Sequence, residues 1–306
     1  MTDRILEQSP YAPVRYEATR PYARALGQRF MAHAAHGEPA ARAFLQDQLF
    51  PRLREEVGRL GKPEGPGPVQ NELLNVQVFG RYLAAGELIY DCASLAIDTL
   101  MTDLPDGALE APALAPAASV YLHFGRDCGL RDDEREIEGA FVTGHPDHLQ
   151  IDLVPAHFAH PLFFRLPLGE PLISVKLDLS DAQRTVPASI VASVEDALAI
   201  NRSNFEQIAD IEAQLSAQYG RTVKVPCAFE NIAQRGPLLD RALRAAVGAL
   251  VRIATRPEAV REDWPVGAPA DRVAQANDAS AKPGTRKTAV NSLLKMGYRK
   301  VRFVGG

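Results

Sequence analysis

The 306-residue sequence is poor in cysteine: Cys92, Cys128 and Cys227 are far apart and form no CxxC pair. Three scattered thiols cannot supply a disulfide framework or a cysteine zinc finger, and they fit a reducing, cytoplasmic setting. An uncharged run long enough to cross a bilayer is also missing. The most apolar long stretch, Leu83 to Met101, is interrupted by Glu87, Asp91 and Asp98, where a span needs about 20 apolar residues. The opening residues, Met1 to Glu7, lack the basic-then-apolar order of a secretory signal. No GxGxxG follows a strand-like run, and no GxxxxGK followed by Ser or Thr occurs, so dinucleotide and P-loop nucleotide binding have no support. A formal charge of −4 gives the molecule as a whole no basic excess, which argues against a highly basic nucleic-acid coat or a protein held on membranes by charge.

What is present is a globular composition, 46% hydrophobic and 24% charged. Residues 1–18 carry two prolines and no clear period, and read as an irregular arm. Apolar spacings of three and four then predict a helix from Arg20 to Gly37 and a second from Pro39 to Leu60, kinked at Pro51. The glycine- and proline-rich loop 61–68 leads to a long helix over Val69–Thr102, followed by an extended connection to Ala118. From Ser119 the period becomes two. Ser119–Phe124, Ala140–Thr143, Leu149–Val154 and Leu172–Leu179 read as strands of an antiparallel sheet. Helices return over Ala188–Gln218, stopped by Gly220, and from Pro237 at a first helical position to about Arg256.

The prolines of 257–284 read as a flexible linker. Beyond it, Thr285 would cap a short helix, Arg286–Met296, closed by Gly297, and Tyr298–Val304 is strand-like. The expected fold is therefore α+β, with N-terminal helices, a central antiparallel sheet and C-terminal helices. The expected parts are an N-terminal helical part (1–103), an α+β core (104–256, sheet 119–180, helices 188–256), the linker (257–284) and a basic helix–strand end (285–306).

Five of the seven histidines, His123, His145, His148, His157 and His160, lie in the β segment. A zinc or other divalent ion needs three or four nearby ligands, and His145, His148, His157 and His160 could supply them from adjacent turns at Pro146 and Pro161. A spacing of three puts such pairs on opposite faces of a strand, so convergence depends on those turns. Strand-end capping explains the same residues without a metal, and no other cofactor is indicated. His123 and Cys128 share a glycine-rich turn, the raw material of thiol catalysis, although a buried structural cysteine is the simpler account. Among the acids from Asp127 to Glu138, Glu136 and Glu138 form the pair most worth testing for acid–base or Mg²⁺ chemistry. The nuclease pattern of an acid followed by acid-x-Lys fails, because Ser174 stands where the second acid belongs.

Charge is segregated at the end of the chain. No acid follows Asp278, while Lys282, Arg286, Lys287, Lys295, Arg299, Lys300 and Arg302 give seven positive charges, leaving −11 on the preceding residues. A helix start bearing Thr285, Arg286 and Lys287 favours an anion such as phosphate. Alternation of Lys300 and Arg302 with Val301 and Phe303 gives a strand with one basic face. Such a face suits a nucleic-acid backbone, docking on the protein's own acids, or protection of a sheet edge by charge.

Tyr121 to Gly125, Glu138 to Val142, Lys282 to Lys287 and Met296 to Gly305 together resemble uncharacterised proteins of plasmids and phages. The resemblance implies a bacterial mobile genetic element and no particular chemistry; a further basic, aromatic tail would be expected after Gly306. The leading expectation is a non-enzymatic accessory or regulatory protein that binds nucleic acid or a protein partner, and no membrane, through its basic end. The alternatives are a metal-dependent hydrolase or nuclease built on the histidines, and a toxin-like, host-targeting protein that inhibits by contact.

Overall fold

A computed structural model describes residues 7–60, 67–108, 118–131, 136–158, 172–222 and 232–305. The helices before the sheet are α1 (Ala12–Thr19), α2 (Ala23–Ala34), α3 (Glu38–Phe44), α4 (Phe50–Leu60) and α5 (Gly67–Ala84). A π-helical turn, Leu45–Leu49, joins α3 to α4 just before Pro51. Then come β1 (Ile89–Asp91), α6 (Ile97–Thr102), β2 (Ser119–His123), β3 (Ile137–Gly144), β4 (His148–Pro155) and β5 (Ile173–Asp178). The chain continues through α7 (Val186–Tyr219), α8 (Ile232–Thr255), β6 (Val260–Asp263), α9 (Ala270–Asn277), α10 (Pro283–Lys295) and β7 (Val301–Val304).

The architecture is α+β, built on one seven-stranded sheet in the order β5-β4-β3-β2-β1-β7-β6. The four expected strands are present as β2 to β5 and pair antiparallel. The sheet as a whole is mixed, because β1 runs parallel to both β2 and β7. That correction follows from an error in the long helix expected over Val69–Thr102. The helix ends at Ala84: Gly86 takes a left-handed φ of 97°, and the amides of Gly86 and Glu87 bond back to Leu83 and Tyr82. This closure, which glycine makes without a Cβ penalty, releases residues 89–91 to become the third strand from the β6 edge.

Four other expectations need correction. The irregular arm contains α1, whose buried face includes Arg15 and Thr19, so an apolar period could not reveal it. The expected linker over 257–284 holds β6, α9 and the start of α10. Pro237 lies inside α8 and does not open it; in α10 Pro283 takes the first turn and Lys282 the cap position, displacing Thr285. Proline fits there because its missing N–H would have had no intrahelical partner. The expected stops at Gly220 and Gly297 are present, each with a left-handed φ.

The two faces of the sheet are covered differently. Against α6, α7 and α8 lie Val120, Leu122, Ala140, Val142, Leu149, Ile151, Val175 and Leu177, packed on Ile190, Leu243, Val247 and Leu250. Gly248 lets α8 touch α6 backbone to backbone, since a Cβ there would overlap the Leu100 carbonyl. On the other face α1 and α5 pack Tyr16, Phe79 and Tyr82 on Tyr121, Phe141 and Val301. Among the described residues, no helix is long and apolar enough to cross a membrane.

Candidate functional site

The second face of the sheet encloses a cluster of ionisable groups beneath α1. Asp91 and His123 are register partners at the ends of the parallel strands β1 and β2. Tyr11 donates its phenol to Asp91 Oδ2 at 2.7 Å. One turn on, the Arg15 guanidinium donates to Glu138 Oε1, with both side chains fully buried, and to the carbonyls of Ser9 (2.8 Å) and Pro10 (2.6 Å). Arg126, half-exposed, reaches the other Glu138 oxygen at 3.4 Å. A neighbouring carboxylate, Glu72, accepts from Tyr16 at 2.8 Å and Tyr22 at 2.7 Å.

Burial sets the protonation of this cluster. It pushes Glu138 up to about 7, against the opposing pull of Arg15 and Arg126. It drives His123 down to about 4, although Asp91 pulls the other way. His123 is thus a neutral imidazole, with the Tyr11 ring edge-on at 5.0 Å and its Nδ1 without a partner among the described residues. A charged guanidinium, a carboxyl poised near neutrality and a neutral imidazole could move protons. At 4% exposure for His123 and 0% for Glu138, both groups are shut off from solvent, and the Arg15–Glu138 pair fastens α1 to β3.

The other candidate residues disperse. Burial raises the Cys128 thiol, opposite to what an activated nucleophile needs, and its Sγ lies 3.3 Å from the Ile137 carbonyl. The Glu136 carboxylate accepts the Asp127 amide, so Glu136 and Glu138 bind different partners. His145 and His148 stack at 4.3 Å in the β3–β4 turn, with His148 Nδ1 2.7 Å from Asp147. His157 is exposed after β4, and His160 lies outside the described residues. Among the described residues, no three His, Cys, Asp or Glu side chains gather as metal ligands.

The basic end divides into two sets. In β7, Arg302 donates to the Tyr90 phenol at 2.7 Å and pairs with Glu262 at 3.8 Å. Lys300 also meets Glu262, at 3.2 Å, and Arg299 reaches Glu87 at 4.0 Å. β7 lies between β1 and β6, so its charges dock on the protein's own acids and guard no edge. α10 differs. Ala289 and Leu293 face inward, while Lys282, Thr285, Lys287, Thr288, Asn291 and Lys295 are exposed, and no carboxylate lies among them.

A family model for the anti-CRISPR type V subtype A2 family (AcrVA2-like) matches residues 90–305. The chain belongs to this anti-CRISPR family. No curated protein and no solved structure matches the chain. The family thereby places the protein among inhibitory accessory proteins of mobile elements, more specifically than the resemblance to plasmid and phage proteins did. The anti-CRISPR match begins in β1 and ends after β7, so it takes in the whole sheet, Asp91, His123, Arg126, Glu138 and the basic helix. Tyr11 and Arg15 lie before the match, yet hydrogen bonds to Asp91 and Glu138 tie them into it, whereas Glu72 bonds to Tyr16 and Tyr22 of the preceding helices.

Sequence reasoning singled out His123 and Glu138 but missed Tyr11, Arg15 and Asp91. Asp91 had a signal: it is an acid inside an otherwise apolar run. Arg15 had none, because nothing local distinguishes an arginine that will meet a carboxylate 123 residues away.

Proposed function

We propose that this chain is an anti-CRISPR inhibitor that acts by contact and holds a nucleic acid on the exposed face of α10. The family's name carries a type V CRISPR system as what is inhibited, and such systems work through guide RNA paired with DNA. The observation that carries the reading is the unneutralised face of α10. Lys282, Lys287 and Lys295 are exposed beside the hydroxyl and amide groups of Thr285, Thr288 and Asn291. Cations place a phosphate backbone, and neutral donors and acceptors complete the contact. Asp278, the last acid in the sequence, accepts from the amide and hydroxyl of Ser280 and feels Arg286.

The test is fluorescence anisotropy of labelled RNA and DNA, single- and double-stranded, over a salt series. Affinity should fall with salt, and the combined variant Lys282→Ala, Lys287→Ala, Lys295→Ala should flatten the logarithmic slope by roughly one unit for each phosphate no longer neutralised. No binding at low salt would overturn the nucleic-acid assignment and leave a protein contact as the inhibitory mode. Among the described residues, no gathered ligand set favours the metal-dependent hydrolase.

A further inference from the structure

A second feature, independent of α10, lies where the parallel strands end. Beyond β1 and β2 the segment 93–98, which runs into α6, and the loop 124–129 part to form a cleft of about 520 Å³, lined on its apolar side by Leu95, Ile97 and Phe124. In open sheets the crevice outside the carboxyl ends of parallel strands is where ligands are commonly taken. From this geometry we infer that the cleft is a binding site for a small organic anion carrying a phosphate or carboxylate group.

Two guanidinia set the ligand class. Arg126, from the loop after β2, and Arg241, from α8, both line the cleft. Both are partly exposed, at 49% and 43%. A guanidinium has five N–H donors. Arg126 uses one on Glu138 and one, at 3.5 Å, on the Ala156 carbonyl. Arg241 uses one on the Gly129 carbonyl at 3.1 Å and one on Asp98 at 3.4 Å. Each fork therefore keeps three donors, and planar forks of this kind match phosphate and carboxylate oxygens.

The contact with buried Glu138, at 3.4 Å, tethers the Nε edge of Arg126 and so limits the ordering left for a ligand to impose. Two acids also line the cleft. Asp98 is 84% exposed and holds Arg241 only at 3.4 Å, a contact that an incoming anion replaces. Asp127 sits in a left-handed turn with φ of 57°, and its amide is already given to Glu136. These separate, solvated carboxylates do not make a cation site, in keeping with the lack of a ligand cluster among the described residues. The apolar side leaves room for an organic body behind the charged group.

The deciding experiment is calorimetric titration of the full chain with inorganic phosphate, AMP and citrate at constant ionic strength. At least one should saturate with a dissociation constant of about 1 mM or tighter. Arg241→Ala should weaken that binding tenfold or more at an unchanged thermal midpoint. Arg126→Lys tests the second guanidinium while keeping a cation for Glu138. Preference for phosphate and AMP over citrate identifies a phosphate ligand, and the reverse a carboxylate. Lys287→Ala should leave the titration unchanged, which separates this site from the nucleic-acid surface. Lack of saturation by all three anions, or binding that neither arginine variant weakens, would overturn the inference.

Discussion

The two faces of the sheet are the same strands seen from opposite sides, and they are held by different physics. Toward α7 and α8 the strands present Val120, Leu122, Val142, Ile151 and Leu177, and the contact is mainly hydrophobic, with the buried Arg252–Asp103 pair at its margin. Toward α1 and α5 they present Asp91, His123 and Glu138 among the aromatics, with His123 and Glu138 buried. Apolar burial is non-directional and tolerates many partners. A buried charge accepts only the group that neutralises it. The first face therefore supplies most of the cohesion, and the second specifies which segment may cover it.

The largest expected difference between the faces comes from leaving one charge behind. Glu138→Ala strands Arg15 and should cost about 3–5 kcal/mol in urea unfolding. Replacing both, as Arg15→Met with Glu138→Leu, should recover most of that loss. If the double variant is as unstable as the single one, the pair is not what specifies α1. On the apolar face Leu250→Ala should cost about 3 kcal/mol through reduced burial and a residual cavity, with no partner whose removal rescues it.

A finer distinction is pH dependence, which the second face should show and the first should not. His123 is lowered to about 4 from 6.5, so the stability from keeping it neutral is present above 6.5 and lost as pH falls toward 4. Glu138 is raised to about 7 from 4.5, so its contribution is full below 4.5 and lost as pH rises through 7. Between 4.5 and 6.5 the two slopes oppose. In difference curves against the parent chain, His123→Gln should make stability fall more steeply with rising pH across that window. Glu138→Gln should make it rise more steeply, each by at most about 1.4 kcal/mol per pH unit. Parallel curves for all three proteins would show that neither group titrates as its burial demands. The smallest effect belongs to the surface: Lys300→Ala should change the unfolding free energy by less than about 1 kcal/mol, because its pair with Glu262 is solvated on both sides.

Much of the first face was legible in the residue pattern. The four strands from Ser119 to Leu179 alternate visibly, and α7 announces itself through its apolar stripe and Gly220. β1 was hidden because it is three residues long and follows a helix of similar apolarity; only Gly86 marked the break. β6 was hidden because Val260–Asp263 carries three charged residues, as an edge strand facing water can. For the candidate sites, the sequence singled out Glu138 and His123, and the structure buries both beneath α1. Their setting was not legible: His145 and His148 stack in the β3–β4 turn, away from the buried Glu138 and His123.

By itself, the sequence determined the class of fold, the order of most of its elements, and the separation of charge that leaves the last residues basic. These follow from local periodicity and composition, which need no partner. Only the tertiary structure decided which cations remain available. Arg299, Lys300 and Arg302 are turned onto Glu87 and Glu262, while Lys282, Lys287 and Lys295 stay exposed. Only it decided, too, that Arg15 is a buried counter-ion and that Arg126 and Arg241 line one cleft. The pairing of charges depends on distances between segments far apart in the chain, and no local pattern encodes those distances.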